Sequence, residues 1–300
     1  MLTQLVEHRK KIRSMPRVCC LILNYNDAET VLTLVSLIRD FSELDEILVV
    51  DNNSTDDSFD VLKNNSIDSY HLISTNRNGG YGYGNNYGIR YAKEVLGCDF
   101  VLLSNPDVVF TNELIGKLKT SMINHRDCAV VTAVQLDINN QPIKDFAWKI
   151  PTPLEYAVQN TRLTRLYRLR EYKYEKIIEN TENKVECVPG ALILYDASKF
   201  LEVGGYDEDM FLFCEEVTIA IKLKQAGYTT LLLGKEQYRH EHSVSINKSI
   251  GSEKKKKLLM FTNRLIVMNK YMKASKLTIA LAKMLQQRSL NKMLAQEHEQ

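Results

Sequence analysis

The chain has 300 residues, 44% hydrophobic and 25% charged, an ordinary composition for a folded protein of one large or two small domains. No stretch reaches about 18 uninterrupted apolar residues and the first 16 residues hold no apolar core of signal-peptide length, which argues against a spanning helix and a secretory leader. Six cysteines (19, 20, 98, 128, 187 and 214) lack CxxC pairing and sit mostly in apolar runs, which fits a reducing cytosol better than a disulfide scaffold. The net charge of +2 conceals an asymmetry: residues 253–300 carry 11 Lys+Arg against 3 Asp+Glu, and the remainder is mildly acidic.

The first half alternates strand and helix signals. Residues 17–23 (RVCCLIL) read as a strand, after which Asn26 or Asp27 suits a helix N-cap and Val31, Leu34, Val35 and Ile38 recur at helical spacing. Residues 46–50 (EILVV) form a second strand closed by Asp51, and the polar turn 52–58 opens a helix through Ser54 or Thr55. A short strand over 70–73, a glycine-rich stretch over 76–88 and a helix over 89–96 follow. The fourth strand ends at Asp107 and the fifth covers 128–134 (CAVVTAV). Strands apolar on both faces that alternate with helices predict an α/β fold with a covered, mostly parallel sheet.

Later elements are a basic, Tyr-rich amphipathic helix over 161–176, a strand over 187–195, a helix over 212–225 stopped by Gly227, and a strand over 229–233. From Lys254 onward Leu258, Phe261, Leu265, Met268 and Met272 trace one helical face among lysines and arginines.

Chemistry gathers at strand ends. Asp107 closes Ser104-Asn105-Pro106-Asp107, where an open α/β sheet collects ligands; a carboxylate there can hold Mg²⁺ or Mn²⁺ and through it a diphosphate, or it can belong to a simple turn. Asp51, at the end of the second strand, can read a nucleoside or cap its own turn. Four glycines lie within positions 79–84, a pattern that lets backbone approach a ligand. They do not complete GxGxxG, and Asn24-Tyr25-Asn26 occupies the place of a dinucleotide fingerprint, which sets a dehydrogenase aside. Residues 207–216 hold five carboxylates among aromatics; Glu215 and Glu216, in the first turn of a helix, either complement its dipole or supply a general base. Of His240 and His242, at most one is expected to face a metal.

These segments together resemble the family 2 glycosyltransferases of the GT-A fold, and within them the rhamnosyltransferase-like and galactofuranosyltransferase-like enzymes of bacterial surface polysaccharides. The matching pieces run in order from LILNYN through VVDNNSTDDS, NRNGGYGYGNNYGI, FVLLSNPDV, VPGALIL and GGYDEDMFLFCEE to HEHSVS. The resemblance implies a GT-A, Rossmann-like nucleotide-binding sheet flanked by helices. An N-terminal extension (1–16) would precede a catalytic domain (17–252), divided into a nucleotide-sugar half (17–135) and an acceptor half (136–252), with a basic helical tail (253–300). It implies a UDP- or dTDP-linked sugar donor, contacted by Asn24, Asp51, Asn53, Arg77, Gly79, Gly80, Gly84, Asn85 and Asn105. It also implies a divalent cation, Mg²⁺ or Mn²⁺, at Asp107 with His240 nearby. Glu216, or Glu215 in its place, would deprotonate a hydroxyl of a saccharide or lipid-linked acceptor in an inverting displacement. The chain departs from the family pattern where Glu215-Glu216-Val217-Thr218 replaces Glu-Asp-x-Asp, and a non-catalytic nucleotide-sugar-binding scaffold is the alternative that departure raises. The expected setting is cytoplasmic, with the tail either on the membrane face or packed against the domain or a second subunit of a homodimer. No nucleic-acid partner is expected.

Overall fold

A computed structural model of the chain describes residues 15–66, 69–159, 172–241 and 253–297. Most of the helix expected over 161–176, the N-terminal extension up to residue 14, and His242 to Ser245 lie outside the described residues.

The described residues form nine strands: β1 (Val18–Asn24), β2 (Glu46–Asp51), β3 (His71–Ser74), β4 (Phe100–Ser104), β5 (Val108–Val109), β6 (Cys128–Leu136), β7 (Glu182–Val185), β8 (Leu192–Asp196) and β9 (Thr229–His240). The helices are α1 (Ala28–Ile38), α2 (Ser58–Asn65), α3 (Tyr81–Glu94), α4 (Asn112–Asn124), α5 (Pro153–Val158), α6 (Tyr174–Glu179), α7 (Ala197–Glu202), α8 (Glu215–Gln225), α9 (Glu253–Lys270) and α10 (Lys276–Glu297). One sheet joins all strands in the order β3-β2-β1-β4-β8-β6-β9-β5, with β7 beside β9. The β3-β2-β1-β4 half is wholly parallel. Antiparallel pairing enters with β8, which lies between β4 and β6.

The two-residue period of a strand divides its side chains between the faces. In β1, Val18, Cys20 and Ile22 enter the core under α1 and α4, while Cys19 and Leu21 enter the core under α3 and α7. All six cysteines are buried free thiols. A third core gathers Tyr156, Met210, Cys214 and Val217 with Val267, Met268 and Ala282 of the C-terminal helices.

Several expected boundaries are corrected. Helix α3 starts at Tyr81 rather than Ile89, so the glycine-rich stretch is itself two turns of helix. A Cβ on Gly84 would lie 2.5 Å from Leu23 Cδ1, and one on Gly88 would lie 2.3 Å from Leu21 Cδ1. These glycines, four residues apart on one helical face, let α3 lie directly on the sheet. Helix α2 starts at Ser58, not at Ser54 or Thr55, because Asp51 holds the Ser54 backbone N–H and hydroxyl. Strand β9 runs on to His240, past the expected end at 233. A register shift carries it from Leu233, opposite Ala133, to Gln237, opposite Val134, and so to an antiparallel pairing with β5.

Candidate active site

A cleft of about 400 Å³ opens at the carboxyl ends of β1 and β4, the position where open α/β sheets gather ligands. Asn105, Pro106 and Asp107 form one wall, Gly80 and Tyr81 another, and Phe211, Leu212, Phe213, Glu215 and Glu216 a third; Gln135, Asp145, Trp148 and His240 complete it.

Asp107 and His240 meet because β5 pairs Val108 with His240, and Glu241 N–H donates to the Asp107 carbonyl at 2.9 Å. His240 Nε2 lies 3.0 Å from Asp107 Oδ1. Behind it, Gln135 Nε2 lies 3.1 Å from His240 Nδ1, and the Tyr238 hydroxyl donates to Gln135 Oε1 at 3.0 Å. This chain of donors selects the tautomer in which His240 Nε2–H donates to Asp107. No cluster of three or more His, Cys, Asp or Glu fit to hold a metal occurs among the described residues. A divalent cation here would have Asp107 as its carboxylate ligand and would need water and a diphosphate to complete its shell; His240 could join it only in the opposite tautomer, with Nδ1 protonated.

Glu215 and Glu216, which line the same cleft, occupy the first turn of α8. Burial pushes both carboxyls above the ordinary glutamate range, and the neighbouring Glu216 charge pushes Glu215 further. Neither has an ion-pair partner among the described residues. Tyr81 closes the floor by donating to the Gly190 carbonyl at 2.8 Å.

The turn that launches this helix is strained. Phe213 and Cys214 have φ of 76° and 75°, a left-handed conformation that costs non-glycine residues about 1–3 kcal/mol each. Four successive carbonyls are nonetheless satisfied: Phe211 accepts from Tyr81 N at 2.9 Å and Cys214 from Thr218 N at 3.1 Å. Leu212 and Phe213 both accept from the Asn263 amide, at 2.7 and 3.2 Å. Cys214 is buried in the same turn, and burial pushes its thiol up to about 12.

The remaining expected donor residues divide. Asn105 and Gly80 line the cleft with Asp107, His240, Glu215 and Glu216. Asn24 and Asp51, each about 1% exposed, lie beneath it as framework: Asn24 Nδ2 donates to Asp51 Oδ1 at 2.8 Å, and that carboxylate also accepts from Ser54. Of the two readings open for Asp51, the geometry here is that of the cap. Asn53, with φ of 57°, lies outside the cleft lining, as do Gly79, whose missing Cβ leaves room for Tyr83, and Gly84. Asn85 is fully buried in α3, and Arg77 stacks its guanidinium 4.8 Å over the Tyr83 ring. Sequence reading missed Tyr25, Asn52, Asn78, Gln135, Asp145 and Trp148. Gln135 carried the same signal as Asp107, a polar side chain near the end of an apolar strand.

Among curated proteins the chain is 27% identical to a low-salt glycan biosynthesis hexosyltransferase, Agl10 of Haloferax volcanii, over 68% of this chain and 61% of that one. It is 24% identical to rhamnosyltransferase WbbL of Escherichia coli over 49% of this chain and 55% of that one. It is 24% identical to an N-acetylglucosaminyl-diphospho-decaprenol L-rhamnosyltransferase of Mycobacterium tuberculosis over 69% of each. The chain thus spans less than two thirds of the first two relatives. Solved structures share the fold: GalNAc-T7 with UDP, GalNAc and Mn²⁺ has a TM-score of 0.61 at 15% identity, over 86% of this chain and 48% of that one. A Pyrobaculum calidifontis mannosyltransferase with GDP-Man and Mn²⁺ has 0.57 at 13%, over 99% and 87%. The sheet order, the cleft at its carboxyl edge and a match over residues 19–200 to the family described as Glycosyl transferase family 2 agree, and the chain belongs to that family.

Proposed function

We propose that this chain is an inverting, metal-dependent glycosyltransferase that moves a sugar from a UDP- or dTDP-linked donor to a hydroxyl of a glycan or lipid-linked saccharide in cell-surface polysaccharide synthesis. The observation that carries the reading is one cleft lined both by the Asp107–His240 pair and by two adjacent carboxyls, the buried Glu215 and the half-buried Glu216. Residues 17–135 would hold the donor and 136–252 the acceptor, with 253–300 as a tail.

A divalent cation at Asp107 and His240 would neutralise charge on the leaving diphosphate. Glu216, its pKa raised above the ordinary glutamate value by burial, would accept the proton of the acceptor hydroxyl. The acceptor oxygen would bond to the anomeric carbon as the bond to the diphosphate oxygen breaks, giving one inversion and a free nucleoside diphosphate. Gly80 and Asn105 would lie along the donor. Trp148 and Asp145, which line the same cleft as Glu216, suit an acceptor sugar, which needs an apolar face and hydrogen-bond acceptors.

The test is a panel of nucleotide sugars with Mn²⁺ or Mg²⁺, read first by thermal shift and then by transfer. Asp107→Ala should abolish both transfer and metal-dependent donor stabilisation with the circular dichroism unchanged. Wild-type turnover by Glu216→Gln would remove Glu216 as base. The replacement of the family Asp by Glu216 and by Thr218 motivates a second reading, a non-catalytic binding module. It predicts calorimetric donor binding with no transfer or hydrolysis across the panel.

A further inference from the structure

The Phe213-Cys214 turn leads directly into the Glu215-Glu216 pair, and among the described residues the one bond its own helix gives it is from Thr218 N–H to the Cys214 carbonyl. Cys214 is the N-cap of α8, and its side chain accepts no capping hydrogen bond from the helix; its thiol meets the Tyr156 hydroxyl instead. Phe213 and Cys214 both sit in a conformation unfavourable to side chains with a Cβ, so the turn persists only where its surroundings over-determine it. The group that holds the Leu212 and Phe213 carbonyls comes from beyond the 19–200 family match. Asn263 of α9 is about 1% exposed and donates both amide hydrogens, to the carbonyls of Leu212 and Phe213. Since both partners are acceptors only, the amide can present nothing but its NH₂.

The rest of α9 supports this placement. Arg264, the next residue, is buried with its guanidinium 5.5 Å from the Tyr156 ring. Two turns later Lys270 pairs with Asp207 and Asp209. The helix therefore grips the 207–214 segment at two separate points, and only one of them touches the strained turn.

We infer that Asn263 is a positioning residue: its amide locks the left-handed Phe213-Cys214 turn and thereby fixes where Glu215 and Glu216 enter the cleft. The turn-locking role stands on geometry alone; its consequence for turnover rests on the proposed glycosyl transfer. Two variants separate the lock from general helix docking. Asn263→Asp keeps the side-chain volume and removes both donors, and Asn263→Ala removes the group entirely. Lys270→Met removes the other anchor of the same helix and leaves the turn intact.

Two readouts are compared in the full chain. The first is steady-state kinetics with the donor found by the nucleotide-sugar panel. A misplacement near 1 Å costs about 10²-fold in rate, so kcat should fall by that order in both Asn263 variants with the donor KM within about twofold. The second needs no activity. All six cysteines are buried, so maleimide labelling mapped by mass spectrometry reports local opening of the turn. Cys214 should label about tenfold faster in the Asn263 variants than in wild type, and at the wild-type rate in Lys270→Met. Wild-type kcat with a protected Cys214 in the Asn263 variants overturns the inference. So does a Lys270→Met protein that reproduces both effects, or Asn263 variants that fail to fold at all while Lys270→Met folds. If the wild-type chain transfers no sugar, labelling alone decides. Release of Cys214 in the Asn263 variants upholds the lock while the proposed activity falls, and protection removes the lock.

Discussion

At the scale of single residues, the proposed transfer turns on two carboxyls whose surroundings differ. As the proposed base, Glu216 must be ionised to accept a proton, and burial raises its pKa. Below that raised value it is protonated and inactive, so kcat should decline on the acid side at a pH above the ordinary glutamate value of about 4.3. Glu216→Gln should cost about 10²–10⁴-fold in kcat and erase that acid limb, whereas Glu215→Gln, altering the carboxyl held more strongly protonated, should retain the limb. The pH profile of the two variants distinguishes the base directly. Gln135 offers a second residue-scale expectation. For His240 to offer Nε2 to the proposed cation the observed tautomer must reverse: Nδ1 then carries the proton, and the Gln135 amide turns to present its oxygen to Nδ1 and its NH₂ to the Tyr238 hydroxyl. Gln135→Leu removes that acceptor and should weaken Mn²⁺ binding about 10–100-fold by calorimetry. Residue type was readable in the sequence for Asp107, His240 and the Glu215-Glu216 pair, which the fold gathers into one cleft. Direction was not: Asp51 and Asn24 carry suitable groups but spend them on each other and on Ser54. Gln135 carried the strand-end signal, but its partner was not readable until β9 brought His240 beside it.

At the scale of elements, the strands were legible because burial on both faces imposes continuous apolar runs, as in VCCLILN and EILVVD. The glycine-rich segment was misjudged for a physical reason. Glycine opposes helix in isolation by roughly 1 kcal/mol per residue, yet here the tertiary contact requires it. Gly88 makes this measurable. A Cβ there would lie 2.3 Å from Leu21 Cδ1 and 2.7 Å from Val50 Cγ2, and both neighbours are fully buried in the sheet. The overpacking penalty of about 1–3 kcal/mol should exceed the helix-propensity gain of about 1 kcal/mol. Gly88→Ala should therefore unfold at lower urea concentration with an unchanged slope. An unchanged midpoint would mean that α3 can lift off the sheet without loss. The short β5 strand left no sequence signal at all, since two residues, Val108 and Val109, carry no period; it exists because the bulged β9 reaches it.

At the scale of the molecule, the tail belongs to the body. Phe261, Val267 and Met268 of α9 and Ala282 of α10 are buried, the last three in a core shared with Tyr156, Cys214 and Val217. Apart from the buried Arg264, the described lysines and arginines of the tail lie on its outer side, and no helix among the described residues is long and apolar enough to cross a membrane. The outer side still presents Leu258, Leu277 and Met284 to solvent, so peripheral lipid contact stays a proposal, tested by liposome flotation of the intact chain. Truncation before Glu253 is the wrong comparison for that purpose, because it would open the shared core.

The attachment of the tail should itself depend on pH. Asp207 is nearly buried, and its carboxylate is engaged by Lys270 at 2.8 Å and by the Tyr271 hydroxyl. Burial works to raise its pKa, but the hydrogen bonds from Lys270, Tyr271 and the Asp209 backbone outweigh it and hold the value below the ordinary aspartate range. A carboxylate with a depressed folded-state pKa contributes stability that is fully present above its unfolded value, near 3.9, and lost as pH falls through the lower folded value. Lys270 is half-exposed, so solvent screens the pair and the contribution is about 1–2 kcal/mol rather than that of a fully buried bridge. Asp207→Asn should therefore lower the unfolding free energy by about 1–2 kcal/mol at pH 7, and the difference from wild type should shrink toward zero as pH falls below about 4. Urea titrations of both proteins at pH 7, 5 and about 3 measure it. A difference that persisted undiminished at the lowest pH would show that Asp207 acts through packing and not through its charge.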